Sequence, residues 1–168
     1  MAKNTGGFVE IPIPELNELV ELADSGQIRT KIQRGPRRSG DVLGTATPNG
    51  YLTVGIKSKR FLAHRVAFAL ANGRWPTMWV DHINGDKKDN RPENLREASV
   101  LESSWNTPGF GASGVKGISF RQDRGFWRAE ITVRGVKRYL GSFKCKEMAE
   151  LAYVSASERF HGKFSRVA

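Results

Sequence analysis

The residues whose types and spacing could do chemistry lie in one run, 80–96, which reads V-D-H-I-N-G-D-K-K-D-N-R-P-E-N-L-R. Asp81 and His82 follow an apolar stretch, and Asn94 comes after a glycine turn and a polar loop. A carboxylate beside an imidazole can hold a divalent cation next to a general base, and a nearby asparagine can fix the imidazole by a hydrogen bond. This spacing predicts a one-metal phosphodiesterase site.

Each side chain has a separate role in that prediction. His82 would act as the general base for the attacking water, because an imidazole titrates near neutral pH. Asp81 would offer an anionic oxygen to one hard cation, Mg²⁺ or Mn²⁺, which would act as a Lewis acid. Asn94 would orient the imidazole, whereas Asn90 fits a turn that leads into the next element.

The elements that must position these residues can be predicted from periodicity. Alternating apolar residues at 52, 54 and 56, after the turn pair Asn49-Gly50, predict a hairpin strand. Apolar residues on one face at 62, 66, 69 and 70 predict a helix that ends at Asn72-Gly73. The segment 95–105 predicts a closing helix. Strand, loop and helix in this order indicate a ββα-metal finger.

The residues before this finger are predicted to form a short helix, at about 14–24, and a basic arm. The arm contains a Gly35-Pro36 pair and five basic residues, Arg29, Lys31, Arg34, Arg37 and Arg38. Such a run can be a solvated loop or can contact a nucleic-acid groove, and the sequence leaves both alternatives open.

The last third of the chain predicts a small α+β unit. Strands are expected at 116–120, 126–133 and 137–143, followed by a helix at 146–160. Small residues fill the segment 109–114, where we place a domain boundary.

The quoted run, with N-G-Y-L-T-V at 49–54 and L-A-H-R-V-A-F at 62–68, resembles the HNH homing endonucleases of phages. The resemblance implies the same roles for Asp81, His82 and Asn94. It also implies a second metal ligand, Asn or His, nine positions after Asn94, where this chain has Ser103. Ser103 could bind the cation through water, Asn106 could replace it one helical turn later, or the nuclease could be weakened.

The words S-G-V-K-G-I-S-F, F-W-R-A-E-I-T-V and Y-L-G-S-F in the last third resemble an AP2 DNA-binding domain. The resemblance implies a three-stranded sheet in the major groove of DNA. Strand alternation puts Trp127 and Arg128 on opposite faces, so both cannot contact DNA, and Trp127 could equally be a core residue. The candidate DNA-binding residues are Lys116, Arg121, Arg124, Trp127, Arg128, Arg134, Lys137 and Arg138.

Composition limits the possible partners and cofactors. The 168 residues carry a net charge of +10, which favours a polyanion such as nucleic acid or an anionic membrane surface. We expect a cytoplasmic protein, because neither a signal peptide nor an apolar run of about eighteen residues is evident. A single cysteine, Cys145, argues against an internal disulfide and against a structural zinc site of the two-CxxC type.

Together these observations predict an α+β chain with an N-terminal helix and basic arm (1–43), an HNH ββα-metal nuclease domain (44–108) and an AP2-like domain (109–168). In the last of these, three antiparallel strands would pack on one helix. The predicted function is metal-dependent cleavage of double-stranded DNA, and the resemblance implies that this takes place in a phage-infected cell. The alternative is a non-enzymatic DNA-binding or regulatory protein with a degenerate HNH site.

Overall fold

The computed structural model describes residues 10–107 and 114–166 and has a mixed α/β architecture. The chain divides into two compact units, Met1–Ser99 and Val100–Ala168. Most of the predicted boundary segment, 109–114, lies outside the described residues, and the units divide ahead of it. In the described part, no helix is long and apolar enough to cross a membrane.

The first unit consists of short strands around one long helix. Its elements in chain order are α1 (Ile13–Leu19), β1 (Val20–Leu22), β2 (Ile28–Thr30), β3 (Val42–Leu43), β4 (Thr45–Ala46), β5 (Leu52–Ile56), β6 (Lys59–Leu62), α2 (Ala63–Asn72), β7 (Trp79–His82) and β8 (Leu95–Ala98). A 3₁₀ turn, Pro92–Asn94, precedes β8. The strands form three antiparallel sheets, in the orders β1-β2-β3, β4-β5-β6 and β7-β8.

Helix α2 is buried on more than one side and organises the first unit. Ala63, Val66 and Ala69 belong to a core cluster that includes residues of α1, β2 and β5. Ala67 and Phe68, on the same helix, pack with Val80 of β7 and Leu95 of β8 in a second cluster. The helix ends at Gly73, whose φ of 64° is the left-handed conformation typical of a helix C-terminus. The predicted helix is therefore confirmed, and it connects the β7-β8 hairpin to the main core.

The predicted closing helix over 95–105 is wrong in its first half. Residues Leu95–Ala98 form strand β8, which pairs with β7, and only Val100–Trp105 is helical. Leu95 and Ala98 are buried, a spacing of three that fits a helix as well as this strand. Backbone pairing with β7 therefore decided between two local structures that the sequence pattern allowed.

The N-terminal prediction also needs correction. The first helix ends at Leu19, and Val20–Leu22 continues as a strand with Val20 buried and Glu21 exposed, which is the period of a strand. Arg29, assigned to the arm, lies inside β2. Because α1, β2 and β3 contribute Leu16, Ile28 and Leu43 to the main core, this region is part of the first unit and not a separate arm.

The second unit contains α3 (Val100–Trp105), β9 (Ile118–Arg121), β10 (Phe126–Val133), β11 (Val136–Phe143) and α4 (Lys146–His161), followed by a 3₁₀ turn, Gly162–Phe164. The strands form an antiparallel sheet in the order β11-β10-β9. Ala149 and Tyr153 of α4 pack with Ala129 and Ile131 of β10. Three strands and one packing helix are therefore present close to the predicted positions.

Gly117 in the second unit occupies a position that no larger residue fits. Its φ is +72°, and a Cβ added there would overlap the carbonyl oxygen of Glu130 and the Tyr153 ring. Gly125 has a similar φ of +65°, but a Cβ added at that position would have nothing within 4 Å. A comparison of substitutions at the two glycines therefore distinguishes the cost of backbone strain from the cost of steric crowding.

We expect Gly117→Ala to lower the free energy of unfolding by about 2–4 kcal/mol, because left-handed strain and overpacking add. Gly125→Ala is the matched control and should cost about 1 kcal/mol from strain alone. Urea denaturation of both variants measures the difference. Equal losses would contradict the close packing of Gly117 against Tyr153.

Candidate active site

His82 stands at the end of strand β7 and is almost completely buried, with 4% of its surface exposed. Its Nε2 lies 3.1 Å from Oδ1 of Asn90, which is itself 2% exposed. With this amide oxygen as acceptor, the ring proton is assigned to Nε2 and the lone pair to Nδ1. The contact therefore fixes the orientation of the imidazole.

Asn94 closes the loop that connects His82 to strand β8. Its Oδ1 accepts a hydrogen bond from the backbone N–H of Asn84 at 2.9 Å, and its Nδ2 donates to the carbonyl oxygen of Asp89 at 2.7 Å. The prediction that Asn94 orients the imidazole directly is therefore wrong, because its amide bonds to the loop backbone. Asn90, which we assigned only to a turn, makes the direct contact, and its place in the same polar loop was the available signal.

Two further rings enclose the imidazole of His82. His64 of α2 meets it edge to face with 5.2 Å between ring centroids, and the Tyr51 ring lies 6.1 Å from it. The Tyr51 and His64 rings are 5.3 Å apart. Lys87 places its Nζ over the Tyr51 ring, 4.8 Å from the centroid, and donates to the carbonyl of Asn49 at 3.0 Å. His82 therefore lies in an aromatic pocket with a lysine at its margin.

His64 is uncharged in this pocket. Burial, with smaller electrostatic contributions from His82 and Arg65, lowers the pKa of His64 from 6.5 to about 3. Its Nδ1 is buried without a hydrogen-bond partner in the part of the chain that the structure describes. A neutral His64 adds no positive charge beside His82.

Arg65, the neighbour of His64, supports the backbone. Its guanidinium is buried and donates to the carbonyl oxygens of Met78 at 3.4 Å and Pro76 at 3.3 Å. These carbonyls belong to the segment that enters strand β7. The sequence left open whether His64-Arg65 braces a helix or contacts phosphate, and the observed contacts of Arg65 are those of a brace.

Asp81 points away from His82, because successive side chains of a strand lie on opposite faces. It is 8% exposed, and its Oδ2 accepts from Nε and Nη2 of Arg96 at 3.0 and 2.9 Å. Arg96 stands directly opposite Asp81 on strand β8. The carboxylate considered as a metal ligand is therefore part of a buried ion pair.

The side chains around Asp81 could hold only a cation that needs few protein ligands. Among the described residues, no group of three or more His, Cys, Asp or Glu side chains could hold a metal. Mg²⁺ commonly uses one or two carboxylates and completes its shell with water and phosphate oxygens, so the single carboxylate of Asp81 is compatible with it. Ser103, in α3, and Asn106, beyond its end, are assigned to the second unit. Their role as ligands stays a prediction.

Glu97, on strand β8, binds the segment that leads into strand β7, and the sequence did not predict this role. Its carboxylate accepts from Arg74 at 2.5 Å and from the backbone N–H of Thr77 at 2.6 Å. These bonds, led by the one from Arg74, lower the pKa of Glu97 from 4.5 to about 2. No motif in the sequence pointed to this contact between residues twenty or more positions apart.

The candidate DNA-binding residues of the second unit fall into three groups. Lys116 is committed to structure, because its Nζ donates to the carbonyls of Ser104, Trp105 and Thr107 at 2.8, 3.4 and 3.3 Å and burial lowers its pKa. Its assignment to DNA therefore has no support from these contacts and stays a prediction. Trp127 packs with the core cluster that includes α4 residues, as the alternative predicted.

Several basic residues remain exposed or partly exposed on the second unit. Arg121 and Arg124 both pair with Asp123, at 3.3 and 3.6 Å. Arg128 pairs with Glu130 at 2.6 Å and lies over the Tyr139 ring at 5.5 Å. The third group, around the turn between β10 and β11, is exposed and consists of Arg134, Lys137 and Arg138.

Comparisons with known proteins find one matching family profile and one relative from a phage. The sequence profile described as HNH endonuclease matches residues 61–104. Protein 3.8 of Escherichia phage T7 is 34% identical over 108 residues, which cover 61% of this chain and 87% of that protein. No solved structure matches the chain. The profile match includes His64, Asp81, His82, Asn90 and Asn94.

We expect Glu97→Gln to destabilise the protein in a pH-dependent manner. A carboxyl whose folded pKa is depressed stabilises the fold above its unfolded value, here near 4.5, and loses that contribution as pH falls toward about 2. The difference in unfolding free energy between wild type and Glu97→Gln should therefore be largest above about pH 5 and vanish near pH 2.

Urea denaturation between pH 2 and pH 7 measures this difference. Glu93→Gln is the matched control, because Glu93 is exposed and its contact with Arg91 is longer, at 3.7 Å. A Glu97→Gln difference that stays constant over this range would contradict the assigned ion pair.

Proposed function

Because this chain belongs to the HNH endonuclease family, we propose that it hydrolyses phosphodiester bonds of DNA with His82 as the general base. The observation that carries the proposal is the state of the His82 imidazole. It is buried at the end of strand β7, bonded through Nε2 to Asn90 and enclosed by His64 and Tyr51. An imidazole held in this way loses little orientational freedom when substrate binds.

These contacts support a hydrolysis in which His82 is the base. His82 takes a proton from water at Nδ1 while the water oxygen forms a bond to phosphorus. The bond from phosphorus to the 3′ oxygen breaks, and its electron pair leaves with that oxygen. The Asn90 side-chain oxygen accepts a hydrogen bond from the opposite nitrogen, Nε2, of His82. This bond stabilises the imidazolium that forms.

Asp81 and Arg96 provide the electrostatic part of the proposed site. A divalent cation, Mg²⁺ or Mn²⁺, bound at Asp81 would supply Lewis-acid stabilisation to the scissile phosphate and the leaving oxygen. Arg96 holds the Asp81 carboxylate in place through two hydrogen bonds. Its guanidinium also keeps a permanent positive charge beside the carboxylate, which favours an anionic substrate.

We further propose that the sheet of the second unit reads double-stranded DNA as an AP2-like module, in a homing-type endonuclease. The support is the exposed basic group at the β10-β11 turn, together with the paired arginines Arg121, Arg124 and Arg128. Residues 111–168 carry twelve Lys or Arg against five acidic residues. Such a surface would supply affinity and register while the first unit cuts.

A second candidate function is DNA binding without cleavage. It is favoured by the ion pair between Asp81 and Arg96, since a cation must compete with the guanidinium for the carboxylate. The serine at position 103, where the family pattern has Asn or His, points the same way. Cleavage assays separate the two functions.

We expect purified protein to relax or linearise supercoiled plasmid in the presence of Mg²⁺ or Mn²⁺. Cleavage should stop when EDTA is added. His82→Ala should lower the rate by about 10²–10⁴-fold, because it removes the general base. Asn90→Ala should lower it by about 10–100-fold, because the imidazole loses the bond that orients it. Agarose gels with melting curves for each variant measure cleavage and folding together.

Two results would contradict this proposal. Cleavage that survives in His82→Ala would come from another nuclease or another base. Wild-type protein that binds the plasmid but never cuts it would establish the second candidate function instead.

We expect the double variant Arg134→Gln/Lys137→Gln to bind duplex DNA more weakly and with a shallower dependence on salt. Each lost phosphate contact should reduce the slope of log K against log salt by about 0.9. Lys144→Gln/Arg159→Gln removes the same charge from outside the proposed surface and should change the slope little. A slope that is equal in the two double variants would contradict DNA contact at this turn.

A further inference from the structure

The residues between β2 and β3, which looked like a loose basic arm, form a braced turn that we call the arginine turn (residues 31–41). Arg34 and Arg37 form an isolated bridge, with backbone hydrogen bonds of 3.1 and 3.2 Å in both directions across Gly35-Pro36. The Gly35 φ of +60° allows this reversal. The turn is therefore an ordered hairpin and not a linker.

Polar contacts fix the base of the arginine turn. The backbone N–H of Gly40 donates to the carbonyl of Thr30 at 2.7 Å, and the hydroxyl of Ser39 donates to the carbonyl of Lys31 at 3.0 Å. Asp41 accepts from the backbone N–H of Arg38 at 2.8 Å. The one acidic side chain of the turn is thus used to bind the backbone, and the turn is held where β2 and β3 leave the core.

The charges at the tip of the turn are not neutralised by the protein. Arg34, Arg37 and Arg38 are exposed, and within residues 10–107 none of them forms an ion pair with a carboxylate. Arg34 donates only to the hydroxyl of Ser58, at 3.3 Å, which joins the turn to the β5-β6 connection. Three positive charges on one short turn favour the binding of an anion there.

A concave surface lies beside these arginines. A cavity of about 380 Å³ is bounded by Arg34, Pro36 and Arg37 on the turn and by Lys57 and Ser58 at the end of β5. Its apolar lining consists mainly of Leu19, Val20, Ile32, Leu43 and Ile56. Lys57 forms an ion pair with Glu15, so the positive charge at the rim comes from Arg34 and Arg37. These two groups and an apolar floor match the sugar-phosphate backbone of DNA, which alternates anionic phosphates with deoxyribose rings.

The position of the turn relative to His82 is compatible with one continuous duplex. Tyr51, which packs near His82, precedes strand β5, while Ser58, which contacts Arg34, follows it. From Tyr51 to Ile56, the last residue of β5, the chain makes five steps and covers about 17 Å at roughly 3.4 Å per residue. At about 3.4 Å per base pair, this corresponds to roughly five base pairs, or half a helical turn.

From these observations we propose that the arginine turn binds the phosphate backbone of double-stranded DNA about half a helical turn from the cleaved bond. This inference rests on the proposed function, since it assumes a DNA substrate. It assigns a second DNA contact to the unit that carries His82, independent of the proposed AP2-like sheet. Through this contact the first unit would hold its own substrate.

Binding measurements on the full-length chain test the proposal. Arg34→Gln/Arg37→Gln is introduced into a His82→Ala background, so that a duplex of 30 base pairs stays intact. Fluorescence anisotropy over a range of salt concentrations should show a slope of log K against log salt that is shallower by about 1.8, at about 0.9 per lost phosphate contact. The Lys144→Gln/Arg159→Gln control should retain the slope of its parent.

Phosphate ethylation interference locates the contact on an active-site duplex. With the parent protein, ethylation of phosphates about five base pairs from the cut should weaken binding, and this interference should disappear in Arg34→Gln/Arg37→Gln. If that variant fails to fold, Arg38→Gln replaces it, because the Arg38 contact with Asp41 uses only the backbone N–H. The expected change in slope is then about 0.9.

The outcomes distinguish this inference from the function on which it rests. A turn variant with unchanged slope and interference, in a protein that cuts DNA, overturns the inference alone. A parent protein that neither binds nor cuts DNA overturns both. Binding of the native turn to anionic phosphatidylserine vesicles, with no loss of DNA binding in the variant, would identify a membrane surface as the partner and also overturn the inference.

Discussion

Backbone pairing between β7 and β8 is the constraint on which the first unit depends. It places Asp81 opposite Arg96 and His82 opposite Leu95, so the two residues of the Asp-His pair face different sides of one hairpin. His82 is thereby directed to α2, where Val80 and Leu95 also pack with Ala67 and Phe68. The loop between the strands must then close over a fixed distance, and Asn94 closes it by bonding the backbone at Asn84 and Asp89. Strand register therefore determines which way the proposed base faces, and side-chain contacts then fix its orientation.

Helix α2 gives this hairpin a rigid support because one helix serves both core clusters. Its residues pack with the main core and with the hairpin, while Arg65 bonds the carbonyls of Pro76 and Met78 just before β7. Glu97 binds the same segment from the other strand, through Arg74 and Thr77. These contacts hold the helix and the hairpin in one arrangement, because close-packed interiors have low compressibility. Such rigidity suits a site whose base must stay aligned.

Local patterns were sufficient for some elements and failed for others for identifiable reasons. The Asp-His motif, the period of α2 and the alternation of β5 are local signals, and the structure contains each of them. The segment 95–98 was mistaken for helix because buried residues three apart fit both structures, and only pairing with β7 decides. Asn90 and Asn94 could not be distinguished from spacing alone, since their roles depend on how the loop folds back. Lys116 resembles a free surface charge in the sequence, because the carbonyls at the end of α3 that surround it are nine to twelve residues away along the chain.

The ion pair of Asp81 with Arg96 has a thermodynamic consequence for the proposed enzyme. A divalent cation at Asp81 would meet a guanidinium already bonded to the same carboxylate, so the free protein should retain the cation weakly. A DNA phosphate supplies the negative charge that this arrangement lacks and can be shared by the cation and Arg96. Linkage then requires that DNA strengthen cation binding by the same factor by which the cation strengthens DNA binding. The complete set of charges would exist only in the complex with DNA. Without DNA the site would lack its cation and would therefore be inactive.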